Sequence, residues 1–209
     1  MSELNRMDAN LLFEIANMKG APTGAFNIRK NGGLAERHNT EHIEISSKAD
    51  KPGIDIKIRP FTKGESVHIP VLVTESGLND LVYNDFYIGD YADVDIIAGC
   101  GIHNDGHAKT QHDGIHTFHV GKHAKVRYVE KHYGEGAGDG DKVLNPQTIV
   151  YLAEGASITL DMVQIRGVDS TKRYTKVVAD GDNSECIITE RLLTDGKQFA
   201  ESRMDVVLN

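Results

Sequence analysis

The chain has 209 residues, 39% of them hydrophobic, a formal net charge of −8 and a pI near 5.6. That length buries a core without disulfide or metal staples, and the acidic balance excludes a duplex-binding surface, which needs clustered Lys and Arg, so nucleic acid is not an expected partner. Cys100 and Cys186 form neither a disulfide framework nor a four-cysteine metal site, and no signal peptide or membrane span is readable, so the expectation is a soluble, cytoplasmic, single-domain protein with no membrane partner.

In chain order, Leu11, Leu12, Ile15 and Met18 recur at helical spacing, and the sequence predicts a short amphipathic helix over 7–18, capped by Asp8 and ended near Gly20. Residues 21–51 are rich in Gly, Asn and charge and read as an extended lead-in with one clean alternation at Ile43-Glu44-Ile45. From Pro52 the period is two: Ile54, Ile56 and Ile58 alternate with Asp55, Lys57 and Arg59, and Val67, Ile69, Val71 and Val73 repeat the pattern. The reading divides the chain into a helix and lead-in over 1–51 and an all-β core over 52–209.

The strands repeat. A small residue, two arbitrary positions, a small residue and an apolar residue recur at Gly89-x-x-Ala92-x-Val94, Gly121-x-x-Ala124-x-Val126, Ala153-x-x-Ala156-x-Ile158 and Gly181-x-x-Ser184-x-Cys186, with offsets of 32, 32 and 28 residues. Strand-only units at such a period point to a β-solenoid, each coil burying its apolar positions on the next. An antiparallel sandwich also shows short strands and regular turns, but Asn-Gly hairpin signals are missing between the core strands.

The chemistry concentrates in residues 96–135, which hold Cys100 and seven of the ten histidines. Cys100 is expected at the end of a strand where a Gly/His/Asp-rich loop begins, with Gly99 and Gly101 leaving its backbone open to a partner. It reads either as a core filler or as a thiolate that attacks a donor persulfide. Cys186 occupies the slot of Val94, Val126 and Ile158 and reads as core. His103, His107, His112, His116 and His119 lie close in sequence and invite a metal reading, though no His-Glu-x-x-His occurs and His116 and His119 point to opposite faces of a strand. Asp105, Asp113, Glu130 and Glu135 add possible oxygen ligands; solvated loop residues are the plainer account.

Several segments, GAPTGAFNIRKNG, KPGIDIKIRP, IIAGCGIHNDG, HVGKHAKVRYVEKHYGEG and LAEGASITLDMVQIRG, resemble the SufB/SufD family of iron-sulfur cluster assembly scaffolds, in particular its short archaeal and clostridial members. The most specific piece is the Gly99-Cys100 pair closing a strand, followed by a strand with His116 and then Gly-x-x-Ala-x-Val-Arg-Tyr. The resemblance implies a right-handed parallel β-helix, sulfur acceptance at Cys100, possible cluster-proximal roles for His103, His107, His116 and His119, and structural roles for Gly99, Gly101 and Cys186. It also implies a SufC-type ATPase and a SufB/SufD-type subunit as partners and a transient iron-sulfur cluster in the full-length assembly, with no cofactor stably held by this chain. Family members continue past Asn209, so the core is expected to stop mid-coil. Its Met204-Val206-Leu208 end is then covered by another copy, giving a homo-oligomer, or by the amino-terminal helix folding back. The alternative function is a metal-dependent β-helix or cupin-like enzyme using the His103–His119 cluster.

Overall fold

The structure, a computed structural model, describes residues 4–209. One helix, α1 (Arg6–Ala16), precedes fifteen strands: β1 (Ala25–Lys30), β2 (Gly33–His38), β3 (Ile43–Ser47), β4 (Gly53–Ile58), β5 (Lys63–Val73), β6 (Asn79–Ile88), β7 (Asp93–His103), β8 (Thr110–Val120), β9 (Lys125–Glu135), β10 (Lys142–Leu144), β11 (Gln147–Leu152), β12 (Ser157–Arg166), β13 (Ser170–Ala179), β14 (Glu185–Leu192) and β15 (Phe199–Leu208). From β4 onward the chain passes back and forth between two sheets. One runs β14-β12-β9-β7-β5-β1-β2, the other β10-β13-β11-β8-β6-β4-β3 with β15 on β13. The result is a β-solenoid of about five turns whose strands are mostly parallel.

The repeat read from the sequence is the coil. Val94 pairs with Val126, Val126 with Ile158 and Ile158 with Cys186, so the four slots stack in one row across β7, β9, β12 and β14. Each coil turns its corner with one residue in the left-handed region: Phe61, Tyr91, His123, Gly155 and Asn183, at φ between 55° and 64°. The small residue that opens each repeat is set by close approach, since a Cβ on Gly181 would lie 2.0 Å from the Glu154 amide nitrogen of the coil below. Between the sheets, Phe86 stacks on Phe118 at 4.4 Å beside Tyr128 and the aliphatic rows, each fully buried large side chain contributing about 1.5–3 kcal/mol.

Three details differ from the sequence reading. The helix is capped by Asn5, whose side chain accepts from the Asp8 amide while the Asp8 carboxylate accepts from the Asn5 amide, so Asp8 is the third helical residue rather than the cap. It stops at Ala16 because Asn17 adopts the left-handed conformation, before Met18 and Gly20 are reached. The lead-in is not merely extended: β1–β2 and β3–β4 are antiparallel hairpins, the first turning on Asn31-Gly32 with both residues at positive φ, and β1 then pairs parallel with β5.

The helix lies on the outer face of the first sheet, against β5, β7 and β9. Leu11, Leu12 and Ile15 bury against Ile28, Leu72 and Tyr133, and Lys30 pairs with the buried Asp8 carboxylate at 2.7 Å. Gly99 and Gly101 make this possible. A Cβ on Gly99 would meet the Lys131 carbonyl oxygen at 2.7 Å and the Ile15 carbonyl oxygen at 2.9 Å, and one on Gly101 would meet Leu11 Cδ2 at 3.1 Å. The glycines clear space for α1, not for a docking partner. Because α1 sits there, it does not cover the other end, where Met204, Val206 and Leu208 are 42%, 58% and 80% exposed. No described helix is long and apolar enough to cross a membrane.

Candidate functional site

The period-two phase of three strands carries polar groups into the solenoid. On β7, Val94, Ile96, Ala98, Cys100 and Ile102 are all buried; on β9, Val126, Tyr128, Glu130 and His132; on β8, His112, Gly114, His116 and Phe118. Cys100 is in the middle of the β7 ladder, paired with Val71 on one side and His132 on the other, and only 2% exposed. The loop therefore begins after His103, and the expected accessible thiol at a strand end is instead an interior one.

Cys100, His112, Gly114, His116, Glu130 and His132 enclose a cavity of about 10 Å³, closed above and below by Ile69, Val71, Leu144 and Pro146. Glu130 is its electrostatic centre. Burial alone would raise its pKa, but Arg173 and His132 hold it well below the usual carboxylate range. Arg173 donates from Nη1 to Oε2 at 2.6 Å and the Tyr128 hydroxyl donates to Oε1 at 2.9 Å. Arg173 enters from β13 beside Asn145-Pro146, where the strand breaks between β10 and β11, and its Nε lies 2.8 Å from Glu190 Oε1. The whole assembly is an ion-paired network in the buried interior.

The cavity histidines are held by their other nitrogens. His112 Nδ1 lies 3.0 Å from Asp80 Oδ2, and Asp80 in turn accepts from Arg29 at 3.3 Å. His116 Nδ1 lies 2.7 Å from the Tyr128 hydroxyl, and burial pushes its pKa down to about 4. Burial likewise lowers His132 and drives the Cys100 thiol well above its ordinary value, with the negative charges of Asp80 and Glu130 adding to the effect. At neutral pH this is a protonated thiol beside the neutral imidazoles of His116 and His132. To act as a nucleophile Cys100 must pass its proton on; His132, its ladder neighbour, has Nδ1 taken by Arg173 at 3.3 Å and Nε2 facing Glu130 at 3.6 Å, so the base is one of the other imidazoles lining the cavity, His112 or His116.

The polar lining continues along the axis. Asn84, His116, Thr148 and Thr175 form one row across β6, β8, β11 and β13, and Gln164 follows His132 on the facing sheet. Asn84 Oδ1, Thr148 Oγ1, Thr175 Oγ1 and both amide atoms of Gln164 are buried without a hydrogen-bond partner.

The other predicted site residues lie elsewhere. His103, at the end of β7, is bracketed by Glu135 at 3.0 Å and Asp105 at 2.8 Å; burial lowers its pKa, and these two carboxylates outweigh that and raise it. His107 is 91% exposed and meets Asp139 at 2.6 Å. His119 is on the outer face, stacked between Tyr87 and Tyr151 at 5.1 and 5.3 Å, opposite in direction to His116 as the strand period requires. His103, His107, His116 and His119 do not share a site. Among the described residues no group of three or more His, Cys, Asp and Glu is positioned to hold a metal ion as it stands. Cys186 packs against the core but is only partly buried, its pKa raised to about 11 by burial. Glu130 was noted in the sequence only as a loop-type oxygen donor, His132 only as one of seven histidines, and Arg173 not at all.

Comparison with known proteins brings no family model, no curated protein and no solved structure that matches this chain.

Proposed function

We propose that this chain is a scaffold component for iron-sulfur cluster assembly of the SufB/SufD kind, working with a partner ATPase and a second scaffold subunit, with the cluster as cargo rather than resident cofactor. The observation that carries the reading is Cys100 facing a closed polar cavity inside the solenoid, flanked by three imidazoles and an ion-paired carboxylate. The chemistry is thiol–persulfide exchange. Cys100 gives its proton to a bare nitrogen of His112 or His116 in the same cavity, the thiolate attacks the outer sulfur of a donor persulfide, the donor's S–S bond breaks, and the donor thiolate leaves and takes up that proton. No net oxidation occurs. The interior shields the resulting cysteine persulfide from small thiols, which would otherwise strip its outer sulfur.

Such exchange needs a way in. The break at Asn145-Pro146 lines the cavity on its inner side and, on its outer side, a surface groove of about 780 Å³ bordered by Asp113, Gln147, Lys172 and Arg173. A donor docks there in this reading, and the seam between β8 and β11 opens to it. The test is to incubate the protein with a cysteine-charged desulfurase, trap thiols by alkylation and map them by peptide mass. One added sulfur atom on the Cys100 peptide, lost in Cys100→Ser and absent from Cys186, is the expected result; sulfur on Cys186 alone, or on neither cysteine, ends the proposal.

A further inference from the structure

The hydrogen bonds around His112 and His116 fix which nitrogen of each ring is bare. Asp80 accepts from Arg29 at 3.3 Å on one carboxylate oxygen and faces His112 Nδ1 at 3.0 Å with the other, so His112 Nδ1 carries the proton between them. The Tyr128 hydroxyl already donates its proton to Glu130, so His116 Nδ1, 2.7 Å away, must donate to that hydroxyl oxygen. A neutral ring protonated on Nδ1 has its lone pair on Nε2. Both Nε2 atoms border one place: a Cβ built on Gly114 would lie 3.4 Å from His112 Nε2 and 3.3 Å from His116 Nε2. No described residue hydrogen-bonds to either. Two unpartnered imidazole nitrogens bordering one small void make it a seat for a hydrogen-bond donor or a cation.

The third wall of the void is the Cys100 thiol. Imidazole nitrogen and thiolate sulfur are the donors that a tetrahedral, borderline-soft divalent ion selects, and a second shell of carboxylate or hydroxyl on the remote ring nitrogen is the usual support of a ligating histidine. Here that second shell is Asp80 for His112 and Tyr128 for His116. The carboxylate of Asp80 on His112 and that of Glu130 in the cavity wall favour a cation in this place. Gly114 leaves the room: a side chain there would fill the point on which the donors converge.

We infer that this pocket is a mononuclear metal site for Zn²⁺ or Fe²⁺, with His112 Nε2, His116 Nε2 and Cys100 Sγ as protein ligands and the fourth position open to water or an incoming sulfur ligand. As they stand no three donors among the described residues are positioned to hold an ion, so binding draws these side chains together to bonding lengths of about 2.0–2.3 Å. Glu130 and His132 stay outside the first sphere because Arg173 engages both. The inference rests on the geometry of the pocket alone and does not require the sulfur-transfer reading.

Cobalt is the probe. Untagged, metal-free protein is equilibrated with Co²⁺ and followed by absorption spectroscopy, then with Zn²⁺. One equivalent per chain with a thiolate-to-cobalt charge-transfer band, displaced by Zn²⁺, is expected. In Cys100→Ser the band disappears and affinity falls at least about 10-fold, while Cys186→Ser and His107→Gln bind as wild type. Zinc K-edge absorption of the wild-type protein, which needs no variant to fold, is expected to show one sulfur and two imidazoles. No binding, a site without sulfur, or a charge-transfer band that survives Cys100→Ser overturns the inference. A protein that takes sulfur onto Cys100 but binds no Co²⁺ loses the metal site and keeps the scaffold function; the reverse outcome separates them the other way.

Discussion

Arg173 is the side chain whose removal most directly probes the interior network. It is 2% exposed, as is Glu130, and the two meet at 2.6 Å. Arg173→Met keeps most of the volume and leaves Glu130 as an uncompensated buried carboxylate, a change that costs roughly 3–5 kcal/mol. The pH dependence distinguishes this from a packing loss. In the wild type Glu130 is held well below its ordinary pKa, so its contribution is present above the unfolded value of about 4.3 and is lost as pH falls through the lower folded value. Without Arg173 the largest opposing interaction is gone, burial outweighs what His132 and His116 supply, and the folded pKa rises above the unfolded one. The variant's deficit is then largest at neutral pH and shrinks on acidification, by up to about 1.4 kcal/mol per pH unit, as Glu130 takes up a proton in the folded state. Urea unfolding of both proteins, followed by far-ultraviolet circular dichroism at pH 7.5, 6.5 and 5.5, measures the difference while titrations common to both largely cancel. A deficit below about 1 kcal/mol, or one that is constant or grows as pH falls, refutes a charge-paired interior.

His116, with a folded pKa near 4 against the ordinary 6.5, adds about 3 kcal/mol that is present above pH 6.5 and lost as pH falls toward 4; its ring proton resonances are expected to stay unshifted to pH 5, and titration near 6.5 contradicts its burial. Native-state alkylation is expected to label Cys186 well before Cys100, reversing the order suggested by the flanking glycines; faster labelling of Cys100 means the β7 ladder opens more readily than its burial allows. The exposed β14–β15 face, with Met204, Val206 and Leu208, is expected to drive self-association at micromolar concentration, weakened by Val206→Asp; sedimentation of the wild type as a strict monomer contradicts this.

The coil was legible because it is a stacking rule written in sequence: each rung must bury Val94, Val126, Ile158 or Cys186 on its neighbour and turn at a small residue that the coil below leaves no room to enlarge. The interior site was legible only in part. Counting by two from Val126 and Tyr128 reaches Glu130 and His132, and counting from Val94 reaches Cys100, so their inward direction was in the strand phase all along. It was passed over because a charged residue in a strand reads as solvent-facing, and because a Gly-Cys-Gly triplet reads as an opening rather than as a seat for a helix. Arg173 carried no local signal. Its partner Glu130 is 43 residues away, and only the wound coil brings them together. The loop histidines drew attention by crowding along the chain, yet a period-two strand and two stacked loops spread them over an outer face, a loop tip and a strand end.

The proposed sulfur transfer needs the pocket beside Cys100 and not the cysteine alone. Gly114→Ala tests it by placing a methyl group 3.3–3.4 Å from both bare imidazole nitrogens while leaving Cys100 untouched. Radiolabelled sulfur delivered by a charged desulfurase is counted on the Cys100 peptide in wild type and variant, alongside titration of both thiols after denaturation. The pocket account requires sulfur on Cys100 to fall at least about 10-fold in Gly114→Ala with both thiols still present and the fold retained. Undiminished loading contradicts it.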